Sequence, residues 1–250
     1  MTTAVLIPAR DEARALPELF ARLDDLGAAR PERVVVVDNG SRDDTAVVAR
    51  GLGAEVVDEP RPGYGQACLA GIAHLASSGA AAVAVGGPPE VLIFLDADDF
   101  AAPAQIPHLL EPVERGDADL VIGERRALHG DGGVRWHARL GNRFVLSVLR
   151  LRFGSAVRDM GPFRAIRWRA LTKLDLDDRD YGWYVQMQVR ARRSGLRVVG
   201  IPVDFERRTV GTSKVSGNSL ASVRAGWVMI RTLVAEIVRD DRYSRAEIKS

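Results

Sequence analysis

Five short runs of aliphatic and β-branched residues in the first half constrain the fold most: Ala4–Pro8 (AVLIP), Arg33–Asp38 (RVVVVD), Ala54–Asp58, Val91–Asp96 (VLIFLD) and Asp119–Gly123. Each is too short for a helix, and apolar residues run through it without alternation, so each predicts a strand buried on both faces. Segments with helical spacing separate them: Leu16–Leu26, with Pro17 suited to a first turn, Asp43–Arg50, Gly65–Ala76 and Pro103–Arg115. This alternation predicts an α/β fold, a mostly parallel central sheet with helices on both faces. Such sheets bind ligands at the carboxyl ends of their strands. The residues just after the strands are therefore the candidate site: Pro8 to Glu12, Asp38 to Ser41, and Asp96 to Asp99.

The second half is less regular. Trp136–Arg152, Tyr184–Arg193 and Ser219–Val238 predict helices, Phe163–Trp168 and Leu196–Asp204 strands, and Arg207–Asn218 a loop. Ser77–Glu90 is low in complexity and reads as a long surface connection. Charge divides the same way. Residues 1–120 carry 9 Lys/Arg against 20 Asp/Glu, a net of −11, and residues 121–250 carry 26 against 13, a net of +13. An acidic half suits a metal ion and a basic half suits phosphate. Surface charge that merely sorts by sequence is the alternative.

The single cysteine, Cys68, excludes a disulfide scaffold and fits a reducing cytoplasm. No basic segment followed by an apolar run opens the sequence, so no signal peptide is expected, and no run of about 18 apolar residues predicts a membrane span. The four histidines lack zinc-ligand spacing, and basic residues without interleaved aromatics argue against nucleic acid.

Asp96-Ala97-Asp98 carries the strongest chemistry. Alternation within a strand would point both carboxylates to one side, making a hard oxygen site for Mg2+ or Mn2+ that substrate phosphates complete. A solvated acidic turn is the plainer reading. Asp38 can accept hydrogen bonds from a ribose or base, with Ser41, Asp43 and Asp44 as helix caps. Gly63-Tyr64-Gly65-Gln66 precedes a helix, where glycines let a backbone approach a ligand or simply make a turn.

In order and spacing, PARDEA, VVVVDNGSRDDT, PGYGQA and FLDADD resemble a family 2 glycosyltransferase of the GT-A fold. GERR, RLGNRF, DMGPFRAIRW, YGWYVQMQ and RRTVGTSKVSG resemble its branch of dolichyl-phosphate mannose and glucose synthases, and the resemblance spans Val5 to Gly217. It implies a metal-dependent, inverting hexosyltransferase using a nucleotide-diphosphate sugar of the UDP-glucose or GDP-mannose type. It implies donor contacts at Pro8, Arg10, Glu12, Asp38, Gly63, Asp96, Ala97, Asp98, Arg208 and Lys214, with Mg2+ or Mn2+ on Asp96 and Asp98. Arg125, Arg126, Arg143 and Arg164 are the candidates to meet an acceptor phosphate, and Asp98, Arg125 and Asp159 the candidate catalytic groups. Asp159 also reads as a structural partner for a nearby arginine.

Four departures from the family pattern stand out. Asp11 replaces a common Asn and Asn39 a common Asp; Phe100 stands where a polar metal ligand is frequent, and Gln186 where Glu is expected. A missing base suits a phosphate acceptor, which is already ionised at neutral pH and needs only alignment. The implied acceptor is a polyprenyl phosphate. The expected location is cytoplasmic, with a peripheral place at the inner face of the membrane. The expected division is a GT-A unit over 1–217, with donor half 1–123 and acceptor half 124–217, and an amphipathic helix and tail over 218–250. A soluble hydroxyl or phosphate acceptor and a non-catalytic nucleotide-sugar-binding module are the alternatives. A sugar-1-phosphate nucleotidyltransferase is disfavoured because PARDEA is not its glycine-rich signature.

Overall fold

The computed structural model describes residues 1–81, 87–127, 145–152, 154, 157–205 and 226–239. Seven strands form one sheet in the order β3-β2-β1-β4-β6-β5-β7. They are β1 (Thr3–Ala9), β2 (Arg33–Asp38), β3 (Glu55–Asp58), β4 (Val91–Phe94), β5 (Leu120–Ala127), β6 (Arg164–Arg167) and β7 (Val198–Phe205). β6 runs antiparallel between β4 and β5, and every other pairing is parallel. The helices are α1 (Leu16–Asp24), α2 (Thr45–Gly51), α3 (Tyr64–Ala81), α4 (Ile106–Glu114), α6 (Trp168–Leu171) and α7 (Trp183–Arg193). Residues 145–152 (α5) and 226–239 (α8) are also helical.

Strand alternation divides the core. Val5, Ile7, Val34 and Val36 pack with α1, α2 and α4 on one face. Ala4, Leu6, Val35, Val37, Leu92 and Phe94 pack with α3, α6 and α7 on the other. This explains the unbroken apolar strands. A third cluster joins α5, α7 and α8 through Val145, Leu149, Val185, Val189 and Leu233.

Several boundaries differ from expectation. β4 stops at Phe94 because its register with β1 ends at Leu6, while β1 continues beside β2 alone. Asp96 and Asp98 therefore lie in a turn beyond the strand, closed by Asp99 N–H donating to the Asp96 carbonyl at 3.3 Å. Strand alternation is thus not what brings them together. α3 runs on to Ala81, into the stretch expected as a connection, where Ala80 and Ala81 favour the helix against Ser77, Ser78 and Gly79. β5 runs to Ala127 because β7 pairs with it from Leu120 onward, which puts GERR on a strand instead of in a turn.

α8 is packed on the core. Thr232 donates to Asp178 at 2.8 Å, and Glu236 meets Arg190 at 2.9 Å and Arg193 at 3.3 Å. Its other face leaves Trp227 67% exposed, with Val234 and Val238 also exposed. No helix among the described residues is long and apolar enough to cross a membrane.

Candidate active site

The chain leaves β1 toward β2 on one side and toward β4, later in sequence, on the other. The crevice between the carboxyl ends of β1 and β4 is therefore the switch point of the sheet. Two loops brace one wall. Asp11, with φ of 51°, accepts the Arg42 amide at 2.6 Å and donates its own to Ser41 Oγ at 2.9 Å. The Glu12 amide donates to Thr45 Oγ1 at 2.8 Å, and Asp43 accepts the Thr45 amide at 3.1 Å. Asp11 thus ties loop to loop through its Oδ1 and its amide. Asp38, half-buried at the end of β2, accepts the Ser41 amide at 3.0 Å. Pro8 and Glu12 are half-buried and Arg10 exposed along this wall.

Asn39 explains its own departure from the family pattern. Its Nδ2 donates to the carbonyls of Glu59 and Arg61, and its Oδ1 accepts the Gly63 amide at 2.9 Å. A carboxylate could not make the two donations. Gly63, among the expected donor contacts, is held by packing: its amide donates to Asn39 Oδ1, and a Cβ there would lie 2.1 Å from the Arg179 carbonyl oxygen. Close backbone packing requires the glycine, as it does Gly65, whose Cβ would meet the Asp178 carbonyl at 2.1 Å.

The acids sit across the crevice. Asp96 and Asp98 are half-buried, and Ala97, Asp99 and Phe100 are buried. Burial, then Asp98 and Asp99 nearby, push Asp96 up to about 7. Burial chiefly also pushes Asp99 up to about 7. Like charges crowded this way mark a place where a cation relieves repulsion. Asp96 and Asp98 offer hard oxygens and leave room for substrate oxygens, so they fit Mg2+ or Mn2+. Phe100 belongs to the core under α1 and α4 and offers no ligand. Among the described residues no group of three or more His, Cys, Asp or Glu side chains is placed to hold a metal ion, so a cation here would rest on the Asp96 and Asp98 pair and on substrate oxygens.

Arg125, on β5, forms a two-pronged ion pair with Asp159 at 2.7 and 2.9 Å. Burial raises the Asp159 pKa, but the guanidinium outweighs it and leaves the carboxyl below its ordinary value. Asp159 is therefore the arginine's partner, and a carboxylate so held is a poor proton acceptor. The pleat sends Arg126 to the opposite face of β5 from Arg125, and its ladder neighbour is Asp204. Arg164, another candidate for the acceptor phosphate, lies in the core beneath the crevice. It is 1% exposed, donating to the Gly161 carbonyl at 2.8 Å and the Tyr184 carbonyl at 3.2 Å. Arg143, Arg208 and Lys214 lie outside the described residues.

Gln186 is buried and fully used. Its Oε1 accepts the amides of Asp177 and Asp178, and its Nε2 donates to Asp177 and Glu236. A glutamate would set a third carboxylate against two others, so the amide is structural. Tyr64, which the motifs do not mark as a site residue, donates its hydroxyl to Asp96 Oδ1 at 3.2 Å. Its only sequence signal was its place inside Gly63-Tyr64-Gly65.

The family described as "Glycosyl transferase family 2" matches residues 4–175, which hold both braced loops, the acid cluster and the Arg125–Asp159 pair. The chain belongs to glycosyl transferase family 2. An uncharacterized glycosyltransferase of Mycobacterium tuberculosis is 37% identical over 88% of this chain and 93% of its own length. Undecaprenyl-phosphate mannosyltransferase of Micrococcus luteus is 34% identical over 87% of this chain and 88% of its own. Among solved structures, glucosyl-3-phosphoglycerate synthase from Mycobacterium tuberculosis, in complex with Mn2+, UDP and glucosyl-3-phosphoglycerate, has a TM-score of 0.72 and 21% identity. That match covers 94% of this chain and 79% of that one. This glycosyltransferase thus has the GT-A fold, and it is a transferase enzyme.

Proposed function

We propose that this glycosyltransferase moves a hexose, with inversion, from a UDP-glucose- or GDP-mannose-type donor to a polyprenyl phosphate at a membrane surface. The observation that carries the reading is the acid turn after β4, which sets the half-buried Asp96 and Asp98 at the switch point of the sheet. Asp96 and Asp98 would hold Mg2+ or Mn2+, which when bound offsets charge on the leaving diphosphate. Pro8, Arg10, Glu12 and Asp38 line the nucleotide's side of the crevice, and Arg208 and Lys214 act on the donor diphosphate. Arg125, oriented by Asp159, supplies positive charge on the acceptor's side, with Arg143. The tying of Asp159 and Gln186 supports an acceptor that needs no base, as an ionised phosphate does. In this reading residues 1–217 are the catalytic unit and 218–250 the membrane-facing helix and tail.

The Micrococcus relative's name supports the lipid-phosphate acceptor. The exposed apolar face of α8 supports a peripheral membrane position. The Mn2+ and UDP in the solved structure support the metal and a nucleoside-diphosphate donor. That protein's phosphoglycerate product also favours a second reading, transfer to a soluble acceptor.

A thermal-shift panel of UDP and GDP, with and without Mn2+, tests the donor. One diphosphate at about a hundred times its dissociation constant should stabilise the fold by about 2.7 kcal/mol, only with metal. Asp98→Asn should abolish the metal-dependent part. No shift with either nucleotide would contradict the reading and favour a module of another kind.

A further inference from the structure

Asp96 is reached from below by a stack of three residues from three different elements. Arg164 sits on β6, in register with Phe94 of β4, two residues before Asp96. Its guanidinium carbon lies 4.8 Å from the centre of the Tyr184 ring, and its Nη1 donates to the Tyr184 carbonyl. Its buried Nη2 has no hydrogen-bond partner. A buried cation without a carboxylate is costly, and here an aromatic face and two carbonyls compensate it in part. The Tyr184 ring, on α7, lies 4.8 Å from the Tyr64 ring at the start of α3. The Tyr64 hydroxyl ends the stack on Asp96 Oδ1.

We infer that Tyr64 is the positioning residue for the metal ligand Asp96, and that Tyr184 and Arg164 fix the Tyr64 ring in place. This rests on the reading of Asp96 and Asp98 as the cation's ligands. Beyond β4 the Asp96 backbone lies in a turn, so no ladder sets its side-chain angle. One hydrogen bond from a ring wedged between α7 and the turn does so, occupying one oxygen and presenting the other. Metal sites lose affinity when such an outer partner is removed, commonly by about 10- to 100-fold. The stack also links the two halves of the sequence, because Tyr64 and Asp96 lie in the acidic half and Arg164 and Tyr184 in the basic one.

The test is Mn2+ affinity of the whole chain, read as loss of the free-ion electron paramagnetic resonance signal, in wild type, Tyr64→Phe and Asp98→Asn. The phenylalanine keeps the ring and removes only the hydroxyl. The expected result is about tenfold weaker Mn2+ binding in Tyr64→Phe, loss of binding in Asp98→Asn, and metal-free thermal midpoints within a few degrees of wild type. Wild-type affinity in Tyr64→Phe, with Asp98→Asn still losing the ion, would overturn the positioning role and leave the metal site standing. Equal affinity in all three, or none in wild type, would overturn the metal site and this inference with it. A Tyr64→Phe midpoint that collapses without metal would make the stack a packing device only and would also overturn the inference.

Discussion

At Asp98, one atom's exchange separates chemistry from stability. The folded protein favours protonated Asp96 and Asp99, each pushed from about 3.8 to about 7. For acids raised in this way, the stabilising contribution is full below about pH 4 and is lost as pH rises through 7. Without a cation, the thermal midpoint should therefore fall as pH rises from about 4 to about 7 and level off above that. Asp98→Asn removes one repelling charge, so the fall should shrink while turnover drops at least about a hundredfold, a barrier increase of about 2.7 kcal/mol. Undiminished turnover with metal present, or a pH slope identical to wild type, would contradict this assignment. The acidic turn was legible in the sequence because strand VLIFLD announces its own carboxyl end. The roles of Asn39, Gln186 and Asp159 were not legible. Each depends on which carbonyl, amide or guanidinium the fold brings up from eight or more residues away, and composition holds no record of that.

Strands and helices of the donor half were readable because burial on both faces forces continuous apolar runs. Their ends were less so. β4 ends where its neighbour's register ends, and β5 continues because β7 accompanies it. Pairing partners fix both limits, and the pattern of one strand cannot show them. The Gly63-Tyr64-Gly65 turn shows the same limit. Its glycines suggested a ligand's approach, but the backbone at Asp178 and Arg179 fills their Cβ positions. Gly65→Ala would drive a methyl to 2.1 Å from the Asp178 carbonyl oxygen and must displace that strap or the start of α3. The expected cost is about 1–3 kcal/mol, read from urea unfolding, with weaker Mn2+ binding because Tyr64 moves as well. An alanine variant as stable as wild type would show that the turn yields easily.

Across the whole molecule, the acidic half builds the crevice and the basic half carries α5 and α8. Arg150, Leu151 and Arg152 on α5 are exposed, as are Trp227, Arg231, Val234 and Val238 on α8. Apolar residues set among arginines suit an interface with anionic headgroups. Vesicle co-sedimentation should rise with anionic lipid and fall with salt, and Arg231→Ala should weaken it by about fivefold, about 1 kcal/mol. Equal binding to neutral vesicles, or none to anionic ones, would leave α8 as a core helix alone. The central claim is metal-dependent transfer of a hexose to a lipid phosphate. The most direct measurement supplies labelled UDP-glucose or GDP-mannose with undecaprenyl phosphate and Mn2+, and follows label into the organic phase. Transfer is expected from one donor, abolished by EDTA and by Asp98→Asn. Label that enters only water-soluble products, with the lipid phosphate untouched, would contradict it.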